Sequence, residues 1–267
     1  MQLNISHRTT YRYQEPVKYT AQKLRLTPRR DGGQRILTWS IKAPGRRTEQ
    51  VDAYGNVTHL LTLEDPHLEM SIVVCGSVEI THAEGVLPQE GTLSPLAYLA
   101  PTILTAPTAE IAALAREHIE GPGVTRRRLY ALAKEVCAKV RYRPGTTSVD
   151  DPAGAALARG EGVCQDQAHV LISCCRSAGV PARYVSGYIC SDGAGETASH
   201  AWAEVWLSDE NGWHGIDVTH VGPAGPGHCR LAVGRDYLDA APIRGVRRGG
   251  GQEVMDVSVT ARPCGDQ

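Results

Sequence analysis

Apolar and polar side chains alternate with a period of two over roughly the first eighty residues. Leu3, Ile5 and His7 are separated by polar neighbours. Short runs repeat the pattern at Tyr11-Arg12-Tyr13, Leu24-Arg25-Leu26, Ile36 to Ile41, Val57 to Leu63 and Met70 to Val74. Turn signals divide them: Asp31-Gly32-Gly33, Ala43-Pro44-Gly45, Tyr54-Gly55-Asn56 and Asp65-Pro66. Period-two runs of this length between such turns predict half-buried antiparallel strands. Residues 1–85 are therefore expected to form a small all-β sandwich domain.

The pattern then breaks. Residues 86–107 carry Pro88, Pro95, Pro101 and Pro107 with little periodicity, and predict a linker. Helical spacing follows. Thr108 caps a first helix with the face Ile111, Leu114, Ala115, Ile119, stopped by Gly121-Pro122-Gly123. Thr125 caps a second, with Leu129, Leu132, Ala133, Val136 and Val140 on one face. Arg126, Arg127 and Arg128 in its first turn oppose the helix dipole and call for an acidic partner. Asp151-Pro152 reads as N-cap and first residue of a short helix ending at Gly160. A further helix holds Ala168, Leu171, Ile172 and Cys175, and stops at Gly179 and Pro181.

Three strand-like runs come next: Ala182 to Cys190, Ser199 to Leu207 and Trp213 to Val218. Ser191 to Thr197 predicts a flexible connection, and Ser208 to Gly212 a hairpin turn. Helices followed by antiparallel strands define an α+β core over residues 108–222. Residues 223–267 form an extension, and its alternating segment Val254 to Val259 needs a sheet to join, that of the N-terminal domain.

Composition excludes several functions. Apolar content of 42% with 21% charged residues predicts a packed core. A formal net charge of −1 argues against a dedicated nucleic-acid binder. The charge is uneven: residues 1–50 hold eleven Lys/Arg and three Asp/Glu, a net of +8, leaving −9 for the rest. No apolar run approaches the ~20 residues of a membrane helix. No secretory signal is visible behind Met1-Gln2-Leu3-Asn4, and a cytoplasmic location is expected. The eight cysteines lack a C-x2-C pair, which argues for reduced thiols and against a zinc ribbon.

One cysteine stands apart. Cys164 follows Gly162-Val163 at the start of a predicted helix, where unpaired backbone N–H groups carry partial positive charge. That field favours thiolate, the attacking form, and the same N–H groups can bind an oxyanion. If Ser208 to Asn211 form a four-residue loop with Leu207 opposite Gly212, Asp217 falls opposite Trp202 and His200 is its diagonal neighbour on the same face; a five-residue loop would put the two on opposite faces. Diagonal pairs lie roughly 7–8 Å apart at Cα. Asp217 can then accept from one imidazole nitrogen of His200 while the other faces Cys164, a nucleophile–base–orienter set. His169, His214 and His220 compete less well: the first lies on another side of the Cys164 helix, and the others flank Asp217 near loops. A zinc site from Cys164, Cys174, Cys175 and His200 fails because adjacent cysteines on a helix face different directions. The Cys164 N–H is one oxyanion donor; Tyr142, in the turn-rich exit Val140 to Gly145, is the candidate for a second.

These motifs resemble the bacterial transglutaminase-like superfamily. The resemblance rests on Gly162-Val163-Cys164-Gln165-Asp166, Arg176 to Tyr188, His200-Ala201-Trp202-Ala203-Glu204-Val205, and Gly212-Trp213 with Asp217-Val218-Thr219, in the family's order. Residues 1–82 are similar to the β domain that precedes this core, and His228 to Tyr237 with Gly245 and Gly249-Gly250-Gly251 to the C-terminal extension. The resemblance implies a papain-like fold, Cys164 as nucleophile, His200 as base and Asp217 as orienter, with Gln165, Asp166 and Trp202 expected to bind substrate. Two departures stand out: Val218 where the family has proline, and Gln167 where it has an aromatic residue. The implied chemistry is thiol acyl transfer on a peptide or protein substrate, with no cofactor, metal, nucleic acid or membrane. Hydrolysis is the expected outcome. The alternatives are transfer to an amine, as in cross-linking, or a non-catalytic peptide-binding module.

Overall fold

The N-terminal alternation becomes one long strand in the computed structural model, which describes all residues except 32, 82–85, 90–92, 120–123, 191–197 and 265–267. The expected stop at Gly121-Pro122-Gly123, the connection Ser191 to Thr197 and Gly32 of the first turn lie outside the described residues. β1 (Gln2–Leu24) buries Leu3, Ile5, His7, Thr9, Tyr11 and Tyr13 and exposes Asn4, Ser6, Arg8 and Arg12. β2 (Gln34–Lys42), β3 (Arg46–Val51), β4 (Val57–Leu63) and β5 (His67–Ile80) follow in the order β2-β5-β1-β4-β3. A register shift between Arg12 and Val17 divides β1. Its first half pairs with β5 and its second with β4. The β unit is thus one hydrogen-bonded sheet held continuous by the length of β1, rather than two separate sheets.

The remaining elements are β6 (Val86–Pro88), α1 (Ala109–Ile119), α2 (Arg126–Lys139), β7 (Arg141–Tyr142), α3 (Ala153–Arg159), β8 (Glu161–Gly162) and α4 (Cys164–Ser177). After them come β9 (Ala182–Ile189), β10 (Ser199–Leu207), β11 (Gly212–Asp217), β12 (Gly222–Pro223), β13 (His228–Gly234), α5 (Tyr237–Ala240), β14 (Ile243–Gly249) and β15 (Glu253–Pro263). Strands β12-β11-β10-β9-β13 form a second antiparallel sheet, with β6 added beside β11. Helices and this sheet share a core in which Leu129, Leu132, Leu171, Ile172, Ala203 and Ile216 meet. The architecture is α+β, as the element order implies.

The boundaries read from the sequence shift at both ends of the core. The linker contributes β6 to the core sheet, and the extension contributes β13 to the same sheet. β14 and β15 return to β1, with Leu3 opposite Pro263 and Tyr13 opposite Glu253. Both flanks of β1 are thereby paired, which removes an edge that would otherwise expose backbone donors and acceptors.

Local signals explain most helix ends. Thr108 Oγ1 accepts from Ile111 N–H, and Thr125 Oγ1 from Arg128 N–H. Pro152, not Asp151, occupies the N-cap of α3, because Asp151 turns aside to pair with Arg159 at 2.9 Å. The acidic partner demanded by the arginines of α2 is intramolecular: Arg126 forks onto Glu210 in the β10–β11 turn. α4 is enclosed along its length, with Gln165 to Arg176 all buried. Its polar side chains find protein partners: Gln167 donates to Val140 O at 2.8 Å, and Ser173 donates to Thr105 O at 2.9 Å. Among the described residues, no helix is long and apolar enough to cross a membrane.

Deleting residues 250–267 strips β15 from β1 and uncovers Val259 and Ala261, now 5% and 0% exposed. Burial of this size predicts a fall in Tm of about 5–10 °C by scanning calorimetry. An unchanged Tm would show that the strand contributes nothing.

Candidate active site

Glycine at 162 sets the approach to α4. A Cβ there would come within 2.7 Å of the Asp166 carboxylate. That carboxylate turns back to accept from Val163 N–H at 2.8 Å and from Thr147 Oγ1 at 2.8 Å. The contact is the return half of a capping box and fixes the first turn. Gln167 N–H is the amide that closes on Val163 O, at 3.1 Å. The N–H groups of Cys164 and Gln165 consequently have no intrahelical acceptor. Cys164 occupies the first helical position and is half-buried.

The β10–β11 hairpin supplies the other two groups. Leu207 pairs with Gly212 and Ala203 with Ile216, across a turn in which Asn211 adopts φ 48°. One step further sets Asp217 opposite Trp202, diagonal to His200. His200 itself lies opposite Gly187, where a Cβ would strike the Trp202 ring at 2.5 Å. His200 Nε2 donates to Asp217 Oδ2 at 2.8 Å, and Cys164 lies near enough to the same ring to raise its pKa. The four-residue turn assumed from the sequence is thus the observed one.

Asp217 is 0% exposed and accepts more than this one bond. His220 Nδ1 donates to Oδ2 at 2.7 Å and His228 Nε2 donates to it at 2.9 Å, while His220 N–H donates to Oδ1 at 3.2 Å. Gly225 N–H donates to His228 Nδ1 at 3.2 Å, which makes that nitrogen the acceptor and leaves the proton on Nε2. Burial alone would raise the Asp217 carboxyl, but the hydrogen bonds from the three histidines outweigh it and hold the group well below the usual carboxylate range. Burial likewise opposes charge on His200, yet the hydrogen bonds to Asp217 and Cys164 and their charges prevail, and its pKa rises to about 10. For His228 burial wins, and its pKa is lowered. His200 is therefore held as the cation and His228 as a neutral ring. His200, Asp217 and His228 also form a group with metal-ligand spacing, their ligand atoms within 4.8 Å of one another. The hydrogen bonds among them account for that approach.

Such an array can transfer a proton between Cys164 and a reacting group while Asp217 holds the ring. Residues 112–218 match the Transglutaminase-like superfamily, and residues 3–79 match the Bacterial transglutaminase-like N-terminal region. An uncharacterized protein of Mycobacterium tuberculosis (strain ATCC 25618 / H37Rv) is 30% identical, over 97% of this chain and 92% of its own. One of Mycobacterium leprae (strain TN) is 31% identical, over 96% and 97%. The chain belongs to the transglutaminase-like superfamily. The fold is also that of a candidate cysteine protease from Cytophaga hutchinsonii, with a TM-score of 0.80 and 22% identity over 100% of this chain and 92% of that one.

Within this transglutaminase-like core, three residues expected to bind substrate are committed elsewhere. Trp202 is 1% exposed and stacks on the His200 ring, centroids 6.2 Å apart, with its edge on His228. It backs the imidazole and presents no face to a ligand. Asp166 is 1% exposed and tied to Val163 and Thr147, a cap and not a contact. Gln165 is 8% exposed and donates to Val149 O at 3.0 Å, which fastens the preceding loop to α4. Tyr142 pairs with Gly162 in the short parallel ladder of β7 and β8 and is exposed. His169 is buried beside Tyr184 and accepts from Tyr237 N–H, remote in role from the Cys164 pair.

Sequence reasoning set His220 aside as loop-proximal and did not weigh His228. The first follows Asp217 by three positions, a spacing that a tight turn converts into contact, and this was the available signal. The second lies beyond the core segment matched by the superfamily and reaches Asp217 because β13 joins the sheet beside β9. No local pattern encodes that.

The two directions of shift make a pH test. An ordinary histidine titrates near 6.5, so a folded value of about 10 means that the stability from His200 is fully present below pH 6.5 and lost as pH rises through about 10. The lowered His228 acts oppositely: its contribution is present above 6.5 and is lost as pH falls below that value. NMR of histidine-labelled protein is expected to show His200 cationic and His228 neutral at pH 8. A neutral His200 at pH 7 would contradict the site electrostatics.

Proposed function

We propose that the protein is a cysteine-dependent acyl-transfer enzyme that hydrolyses a peptide, amide or isopeptide bond. The observation that carries the reading is a His200 ring anchored by Asp217, with Cys164, at the open first turn of α4, near enough to raise its pKa. Cys164 Sγ attacks the carbonyl carbon and the thiol proton resides on His200. The tetrahedral oxyanion is met by the Cys164 N–H. His200 then protonates the leaving amine, and the acyl group remains on sulfur as a thioester. Water, deprotonated by His200, attacks the thioester and regenerates the thiol. Asp217 keeps the ring aligned and stabilises its charge without bonding to substrate.

Hydrolysis is favoured over cross-linking because water needs no site to hold it, whereas an amine acceptor does. A peptide or protein is the proposed substrate class. Turnover of an acyl-amide library, with and without added amines, separates the outcomes: product acids support hydrolysis, and new amides support transfer. Cys164→Ala should abolish activity and His200→Ala come close. Asp217→Ala should retain a residue of activity after a loss of ~10²–10⁴ in kcat. Parental activity in Asp217→Ala would remove the orienting role.

Tyr142 is the proposed second oxyanion donor, since its pairing with Gly162 sets it beside the strand that delivers Cys164. Tyr142→Phe deletes only the hydroxyl and should cost ~10²–10³ in kcat. A loss within about threefold would strike Tyr142 from the mechanism.

A further inference from the structure

Away from Cys164, where the N-terminal sheet meets the core sheet, buried charges alternate in a chain. Arg183 on β9 bonds to Glu204 on β10 at 2.6 Å. The other oxygen of Glu204 meets Arg230 on β13 at 3.3 Å. Arg230 pairs with Asp31, and Asp31 accepts from Arg29 Nε at 2.9 Å. None of these five side chains is more than 7% exposed. The chain begins and ends on arginine, and both ends, Arg29 and Arg183, line one cavity of about 350 Å³.

Both guanidinium groups reach that cavity, and no hydrogen bond among the described residues joins them to one acceptor. Asp52 also lines it, but its carboxylate already accepts from Tyr54 N–H, Asn56 N–H, Asn56 Nδ2 and Arg25 Nε. Arg29 spends one nitrogen on Tyr54 O at 2.9 Å and Asn56 Oδ1 at 2.6 Å. Its Nη2 lies toward Gly55, 3.4 Å from where a Cβ would stand. The Arg183 guanidinium lies over the Trp213 ring, 4.1 Å from its centroid. Burial disfavours the Arg29 cation, and the charge of Arg183 adds to that cost. Two like charges held at a polar cavity, each with a donor nitrogen not used in its ion pair, match an oxyanion.

We propose that this cavity binds a small oxyanion, a carboxylate or phosphate group, that bridges Arg29 and Arg183 and closes the charge chain into a ring. The anion joins the β3–β4 turn, through Arg29 and Tyr54, to β9 of the core. It stabilises the contact between the two sheets and lies apart from the Cys164 array.

The test is thermal unfolding of the full chain titrated with sodium malonate or inorganic phosphate, against sodium chloride at equal ionic strength. A saturable rise in Tm of about 5 °C is expected once the anion exceeds its Kd about a hundredfold. Malonate alone, or phosphate alone, identifies the preferred group. Two variants report on the site. Arg183→Gln keeps a donor toward Glu204 and should weaken binding by about tenfold or more. Ala53→Glu, at an exposed position on the cavity wall, tethers a carboxylate there, and should raise the anion-free Tm and erase the response. If Arg183→Gln does not fold, Ala53→Glu decides alone. A rise that sodium chloride reproduces, no rise, or a response undiminished in Ala53→Glu would overturn the site.

Discussion

A carboxylate with 0% exposure must be surrounded by donors or it does not stay charged. Asp217 meets this demand with three imidazole N–H groups and one backbone N–H. Hydrogen bonds to charged groups are worth about 1.5–3 kcal/mol each, so four of them can outweigh the desolvation of one ion. The demand reaches well beyond the pair with His200. It requires the β10–β11 register, the turn that brings His220 back, and a β13 that begins at His228. Gly187 and Trp202 complete the arrangement by giving His200 a flat backing. Moving any of these elements by one residue would leave the carboxylate short of donors.

The same economy of elements ties the two sheets together. His7 on β1 shares a 2.7 Å hydrogen bond with Tyr188 on β9, and Leu3, Ile5 and Val259 pack with Cys229 and Leu231 of β13. The strand that delivers His228 to Asp217 therefore also carries the interface with the N-terminal sheet. Arg230, two residues on, enters the buried charge chain toward Asp31. The extension beyond the core is consequently structural on both sides: it supplies a donor to the candidate site, β13 to the core sheet, β14 and β15 to the N-terminal sheet, and a charge between them.

Much of this was legible in the sequence because it is local. The position of Cys164 follows from Gly162, the helical spacing behind it and the stop at Gly179. The His200–Asp217 diagonal follows from a hairpin once its turn is taken as four residues, the length the structure shows. What escaped is non-local. The His228 contact depends on β13 pairing with β9, and the Arg230–Asp31 pair joins residues 199 apart. The partners of Gln165, Asp166 and Trp202 are likewise non-local or hidden by packing: polar residues beside Cys164 serve as readily to cap a helix or fasten a loop as to line a site. The basic first turn of α2 looked unfavourable only until the turn carrying Glu210 came beside it.

The account stands on a thioester at Cys164, and that species can be sought directly. Rapid quenching of the protein with p-nitrophenyl acetate, followed by peptide mass spectrometry, reads both the burst and its location. A stoichiometric burst of nitrophenolate is predicted, with the acetyl group on the peptide containing Cys164, removable by hydroxylamine and absent from Cys164→Ala. A protein that shows no burst, or that carries the acetyl group on another residue while Cys164 stays free, would contradict it.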